Sequence, residues 1–194
     1  MQILIRKDRH NKPAYQTIIL KVIVTLLFIF FIHNHLSAQR PASRESALKA
    51  VFLFNFTQFV EWSPNAFSSN EDPFVIGILG DDPFKNDIDE AVTGEKVQGH
   101  SIIIKRYADV KDVNYCHLLY ISFKDPKHVK KILDSLPNQN LLSVSDAYNF
   151  ARIGGMIRFY TIDNKIKLQI NNEAAKSANL TISSKLLRLA DIVN

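Results

Sequence analysis

Apolar and polar positions recur along this chain with two different periods, and the change from one to the other marks its elements. Between residues 43 and 62, Leu48, Phe52, Phe56 and Phe59 stand at helical spacing. Val51, Leu53 and Phe54 extend the apolar surface around the other sides of that helix. A helix apolar nearly all round is either enclosed by its own domain or shared with a partner. Short apolar runs follow at 74–79 (FVIGIL), 102–104, 116–121 and 141–144, bounded by turn formers as buried strands are. Helical patterns lie between them. One opens with Asp82 as N-cap and Pro83 as first helical residue and closes at Gly94; another covers 126–136, with Val129, Ile132, Leu133 and Leu136 inward. Strands separated by helices predict an α/β fold, a mostly parallel sheet flanked by helices on both faces.

After Gly154-Gly155 the period becomes two. Residues 156–162 and 165–170 flank Asp163-Asn164, which tolerate the left-handed backbone of a tight turn, so a C-terminal β-hairpin is predicted. Ile157 and Phe159 face the core, leaving Arg158 and Tyr160 opposite; on the return strand Ile166, Leu168 and Ile170 alternate with Lys165, Lys167 and Gln169. Arg158, Tyr160, Lys167 and Gln169 then share one face. That face is either a solvated side of the sheet or a surface for an anion or an aromatic group, since a guanidinium fork, an ammonium and a phenol converge on it. Beyond the hairpin, Ile182, Leu186, Leu189 and Val193 form a helical stripe capped by Ser183 or Ser184, the predicted final packing helix.

The N-terminus bears on the compartment. Five basic residues and one acid precede or enter an apolar run, Val22 to Ile32, that is too short to span a bilayer as a helix. Leu-Ser-Ala follows before Gln39, so residues 1–38 read as a secretory signal peptide, with a retained membrane anchor as the alternative, and 39–194 as one exported domain. Composition then reads differently. The whole chain carries 24 basic against 19 acidic residues, but the domain alone carries 19 against 18, which gives nucleic acid no basic surface to bind.

Catalytic and metal chemistry find little support. Cys116 is the single cysteine, so no intramolecular disulfide can form, and its apolar surroundings suit a buried, inert thiol. Cys116 and His117 are neighbours on a strand and point to opposite faces. Asp81 and Asp82 follow a strand end where open α/β sheets often hold ligands, although carboxylates there commonly cap the next helix. Ser143, Ser145 and Asp146 lack a nucleophile elbow, and no H-x-x-x-H or C-x-x-C pair exists for a metal. The sequence supplies no catalytic constellation, no metal site and no cofactor motif.

The blocks ALKAVFLFNFTQFVEW (47–62), IGILGDDPF (76–84), CHLLYIS (116–122), LLSVSD (141–146), FARIGGMIRF (150–159) and INNEAAKSANLTISSKLLRLA (170–190) resemble, in order, those of the YfiR-like family. That family is named for a periplasmic repressor of a membrane-bound diguanylate cyclase, whose release raises cyclic di-GMP and promotes biofilm. The resemblance covers essentially all of the exported part. It implies a compact α/β domain, a tendency to form homodimers, and a periplasmic location. It also implies control, by repression in the founding case, of an inner-membrane signalling protein through that protein's periplasmic domain. Val51, Leu53 and Phe54 are the expected partner-binding residues. The alternative is an accessory protein for a sensor kinase or outer-membrane transport system, which binds a small molecule or peptide through Arg158, Tyr160, Lys167 and Gln169. Better-known members carry disulfides; a lone Cys116 departs from that pattern, and redox sensing is not carried over.

Overall fold

The structure, a computed structural model, describes Lys21, residues 40–137 and residues 140–193. The expected signal peptide, residue 21 apart, and its expected cleavage point lie outside the described residues. Glu45–Asn194 forms one compact unit. Helix α1 (Arg40–Phe59) leads through β1 (Val60–Glu61) to β2 (Phe74–Leu79), followed by α2 (Asn86–Val92), β3 (Lys96–Val97), β4 (His100–Tyr107) and β5 (Leu118–Ile121). Then come α3 (Pro126–Ser135), β6 (Leu142–Ser145), a 3-10 turn (Phe150–Ile153), β7 (Ile157–Ile162) and β8 (Lys165–Asn171). The chain continues through α4 (Asn172–Ser177), β9 (Thr181–Ile182), the one-turn α5 (Ser184–Leu187) and β10 (Ala190–Val193).

Among the described residues, eight strands form one sheet in the order β10-β8-β7-β6-β5-β2-β4-β3, with β1 and β9 paired separately. The five strands from β4 to β7 are mutually parallel, β7 and β8 are antiparallel, and β10 runs parallel to β8. The order β4-β2-β5-β6-β7 is that of a doubly wound sheet, which turns back on itself between β2 and β5. The predicted fold class is therefore the observed one, because FVIGIL, LLYI and LSVS are buried along their whole length and only a central parallel strand needs that.

Each face has its own core. Phe74, Ile76, Ile78, Leu118, Tyr120, Leu142, Val144, Ile157 and Phe159 point to one side, where Ala50, Leu53 and Phe56 of α1 and Ile88 and Val92 of α2 cover them. Phe56 stacks on Phe159 with ring centroids 5.6 Å apart. Burying side chains of this size contributes about 1.5–3 kcal/mol each. On the other side Leu79, Leu119 and Ile121 meet Val129 and Ile132 of α3, together with Ala147 and Phe150. Two glycines permit this packing. A Cβ on Gly77 would come 2.7 Å from Cys116 Sγ, and one on Gly155 would come 2.2 Å from the Phe150 ring.

Three local expectations change. Helix α1 is rotated relative to the sequence reading: Ala50, Leu53 and Phe56 face inward, while Leu48 and Phe59 are exposed. Asp82 caps a turn rather than a helix, since Lys85 adopts a left-handed φ of 51° and α2 starts only at Asn86. The C-terminal stripe is not continuous. Ser183 does cap a helix, accepting from Leu186 N–H, but α5 ends at Leu187 and Leu189 is 74 % exposed. Residues 190–193 extend instead, because β8 offers them an open edge to pair with.

Candidate functional site

The hairpin is built as its sequence implies. Asp163 and Asn164 adopt φ of 50° and 58°, the doubly left-handed turn that matches the twist of two antiparallel strands. Arg158 pairs with Gln169 and Tyr160 with Lys167. Directly opposed residues share a face, so all four expected ligand-contacting side chains lie together on the side away from α1. Sequence reasoning missed two further members, Tyr148 and Asp191. The Tyr160 hydroxyl donates to the Asp191 carboxylate, and Asp191 opposes Gln169 from β10. Asp191 reaches this face only because residues 190–193 form a strand.

Arg158 is the best-held group on this surface. Its Nε donates to the carbonyl of Ala147 at 2.8 Å, and its guanidinium carbon lies 5.6 Å from the Tyr148 ring and 5.5 Å from the Tyr160 ring. Tyr148 is 67 % exposed, so the bracket is open to solvent on that side. The two terminal guanidinium nitrogens and the Lys167 ammonium have no hydrogen-bond or ion-pair partner among the described residues. Gln169 Oε1 is withdrawn from solvent and likewise has no donor.

The adjoining segment connects this face to α1. Asp146, directly after β6, accepts from Lys49 of α1 at 3.2 Å and from Lys124, and Lys49 also pairs with Glu45 at 2.8 Å. Burial opposes ionisation of Asp146, yet the Lys124 hydrogen bond and the charges of both lysines hold its carboxyl below the usual range. Beneath it, burial raises the Tyr120 phenol, and the neighbouring carboxylate adds to the shift. Three consecutive residues, Asp146, Ala147 and Tyr148, therefore contact Lys49 of α1 and then Arg158 of β7.

The three expected partner-binding residues do not share a surface. Leu53 is fully buried and cannot reach a partner, and Phe54 is half-buried against the core; Val51 alone is exposed, at 46 %. The apolar stripe that faces solvent consists of Leu48, Val51 and Phe59, at i, i+3 and i+11 on one side of α1. Spacing alone could not select it, since a helix apolar on several sides offers more than one stripe.

Other polar groups weighed from the sequence serve the fold. Asp82 accepts from the N–H groups of Phe84 and Lys85 and from Arg106 Nε at 2.7 Å, and Arg106 bridges on to Asp89. Gly80, directly after β2, lies against Phe123, whose ring would be 3.2 Å from a Cβ at that position. Ser143 Oγ accepts from Met156 N–H, and Ser145 hydroxyl donates to the Ile121 carbonyl. His117 Nδ1 accepts from Val75 N–H, so the proton sits on Nε2, which faces the Ala66 carbonyl at 3.0 Å. Burial lowers its pKa to about 4. Burial likewise pushes the Cys116 thiol up to about 12, leaving it un-ionised and unreactive at neutral pH. No cluster of three His, Cys, Asp or Glu side chains suited to a metal occurs among the described residues.

The domain is a doubly wound α/β fold with exposed apolar side chains along α1 and a polar face on β7 and β8. The family model described as YfiR/HmsC-like matches residues 46–191, and the chain belongs to that family. The family is one of periplasmic regulators of diguanylate cyclases. No curated protein gave a significant match. No helix among the described residues is long and apolar enough to cross a membrane.

Proposed function

We propose that this protein is a periplasmic regulator that represses an inner-membrane diguanylate cyclase by binding its periplasmic domain. The observation that carries the reading, beside family membership, is the exposed stripe of Leu48, Val51 and Phe59 on α1. Three large apolar side chains aligned on one helix suit insertion into a groove of a partner. Repression requires that the protein bind the inactive cyclase more tightly than the active one; a tenfold preference corresponds to about 1.4 kcal/mol, within reach of one or two such contacts. The test is affinity capture from native membranes with the processed chain, repeated with Phe59→Asp. Recovery of a diguanylate cyclase that Phe59→Asp fails to recover, with cellular cyclic di-GMP rising in the variant strain, is the expected result. Recovery of a transporter or a sensor kinase in its place overturns the partner class.

A second reading has its own support in the shared face of Arg158, Tyr160, Lys167 and Gln169. On that reading the domain binds a small anionic ligand or a peptide and passes the signal to its membrane partner. Thermal stabilisation by anionic ligands, abolished in Arg158→Ala, is its test.

A further inference from the structure

We propose that the β7–β8 face is a receptor for the carboxylate of an N-acylated amino acid, the group that ends a peptide chain, with Arg158 as the anion fork. This rests on the second reading above and gives it a ligand class. Arg158 is oriented before any ligand arrives: Nε is fixed by the Ala147 carbonyl at 2.8 Å, and rings of Tyr148 and Tyr160 flank the guanidinium at 5.6 and 5.5 Å. What is left unspent is the pair of terminal nitrogens, the edge that meets a planar carboxylate through two parallel hydrogen bonds.

The neighbouring groups narrow the choice. Lys167 lies diagonally across the hairpin from Arg158 and adds a second positive charge. The nearby negative charge, Asp191, is engaged by the Tyr160 hydroxyl. Gln169 directly opposes Arg158, and its amide oxygen lacks a donor. A ligand N–H one carbon away from its carboxylate answers that acceptor once the amide turns outward, and an inorganic oxyanion such as phosphate carries neither that N–H nor a planar edge. The exposed Tyr148 ring then offers a platform for the acyl group.

The probe is hippurate, which joins a carboxylate, an adjacent amide N–H and an aromatic acyl group, titrated calorimetrically into the purified protein. Its methyl ester, benzoate and inorganic phosphate serve as comparisons. Hippurate is expected to bind about fivefold more tightly than benzoate, and the ester and phosphate at least about tenfold more weakly than hippurate. Arg158→Gln should weaken hippurate at least about tenfold, Arg158→Lys should lose most of that affinity while keeping the charge, and Gln169→Leu should remove the advantage over benzoate alone. Equal binding of benzoate and hippurate in the unaltered protein, or hippurate binding indifferent to both Arg158 variants, overturns the assignment. Phosphate binding as tight as hippurate and dependent on Arg158 also overturns the carboxylate class, while leaving the ligand-binding reading standing. Absence of saturable binding by every anion up to about 10 mM, a threshold weaker than ordinary recognition, sinks both.

Discussion

The Lys49 ammonium of α1 stands 3.2 Å from the Asp146 carboxylate at the end of β6, and both side chains are largely withdrawn from water, at 11 % and 19 % exposure. Lys124 reaches the same carboxylate from the solvent side, with 66 % of its side chain exposed. One acid thus joins a helix that carries the exposed apolar stripe to the loop that holds Arg158.

Asp146→Asn should destabilise the domain by about 3 kcal/mol, because it leaves the largely buried Lys49 charge with only Glu45 to answer it. Lys124→Ala should cost under about 1 kcal/mol, as expected for a solvent-screened partner. Urea denaturation of both variants measures the difference. An Asp146→Asn midpoint equal to that of the unaltered protein would show the pair to be ornamental.

Stability should fall with acid through His117. Its pKa in the folded protein is about 4 against an ordinary 6.5, so the unfolded chain takes up a proton that the folded one resists. The contribution is complete above about pH 6.5 and is lost progressively as pH drops toward 4, on the order of 2 kcal/mol after allowance for screening. His117→Gln should flatten the stability profile in that window. An unchanged slope between pH 6.5 and 4 in the variant would assign the acid sensitivity elsewhere.

Within α1, neighbouring substitutions should separate binding from folding. Val51→Asp and Phe59→Asp alter exposed positions and should keep the melting temperature within a few degrees while weakening capture of the membrane partner at least about tenfold. Leu53→Asp places a carboxylate in the core and should unfold the domain. Circular dichroism and capture measured side by side decide the matter; intact capture by both surface variants would remove α1 from the interface.

Gly155→Ala should cost at least about 2 kcal/mol, since the new methyl would fall 2.2 Å from a Phe150 ring that is itself fully buried. Gly77→Ala meets Cys116, Leu119 and Tyr107 at 2.7–2.8 Å and should be comparably harmful. Combining Gly155→Ala with Phe150→Leu should recover part of the loss, and thermal unfolding of the pair tests whether the ring is the cause.

Legibility varied with how many solutions a pattern allowed. The short apolar runs at 74–79 and 141–144 read as buried strands and Asp163-Asn164 between alternating runs as a tight turn, so the shared face of Arg158, Tyr160, Lys167 and Gln169 followed from period two and turn chemistry. The first helix was apolar on several sides, and its inward face was decided by Phe159 and the rest of the sheet, which the local sequence does not contain. The same holds for Ile182 to Val193, where helical spacing competed with an open strand edge on β8 and lost.

By itself, then, the amino-acid order determined the mostly parallel α/β class, the hairpin and its polar face, and the family, because each depends on local period, turn chemistry or an ordered set of motifs. Tertiary structure alone decided which stripe of α1 remains in water, that Asp191 and Tyr148 join Arg158, and that Lys49 meets Asp146. Those contacts bring together residues separated by up to 97 positions, and only the packing of helices onto the sheet supplies the distances at which charge, hydrogen bonding and burial act.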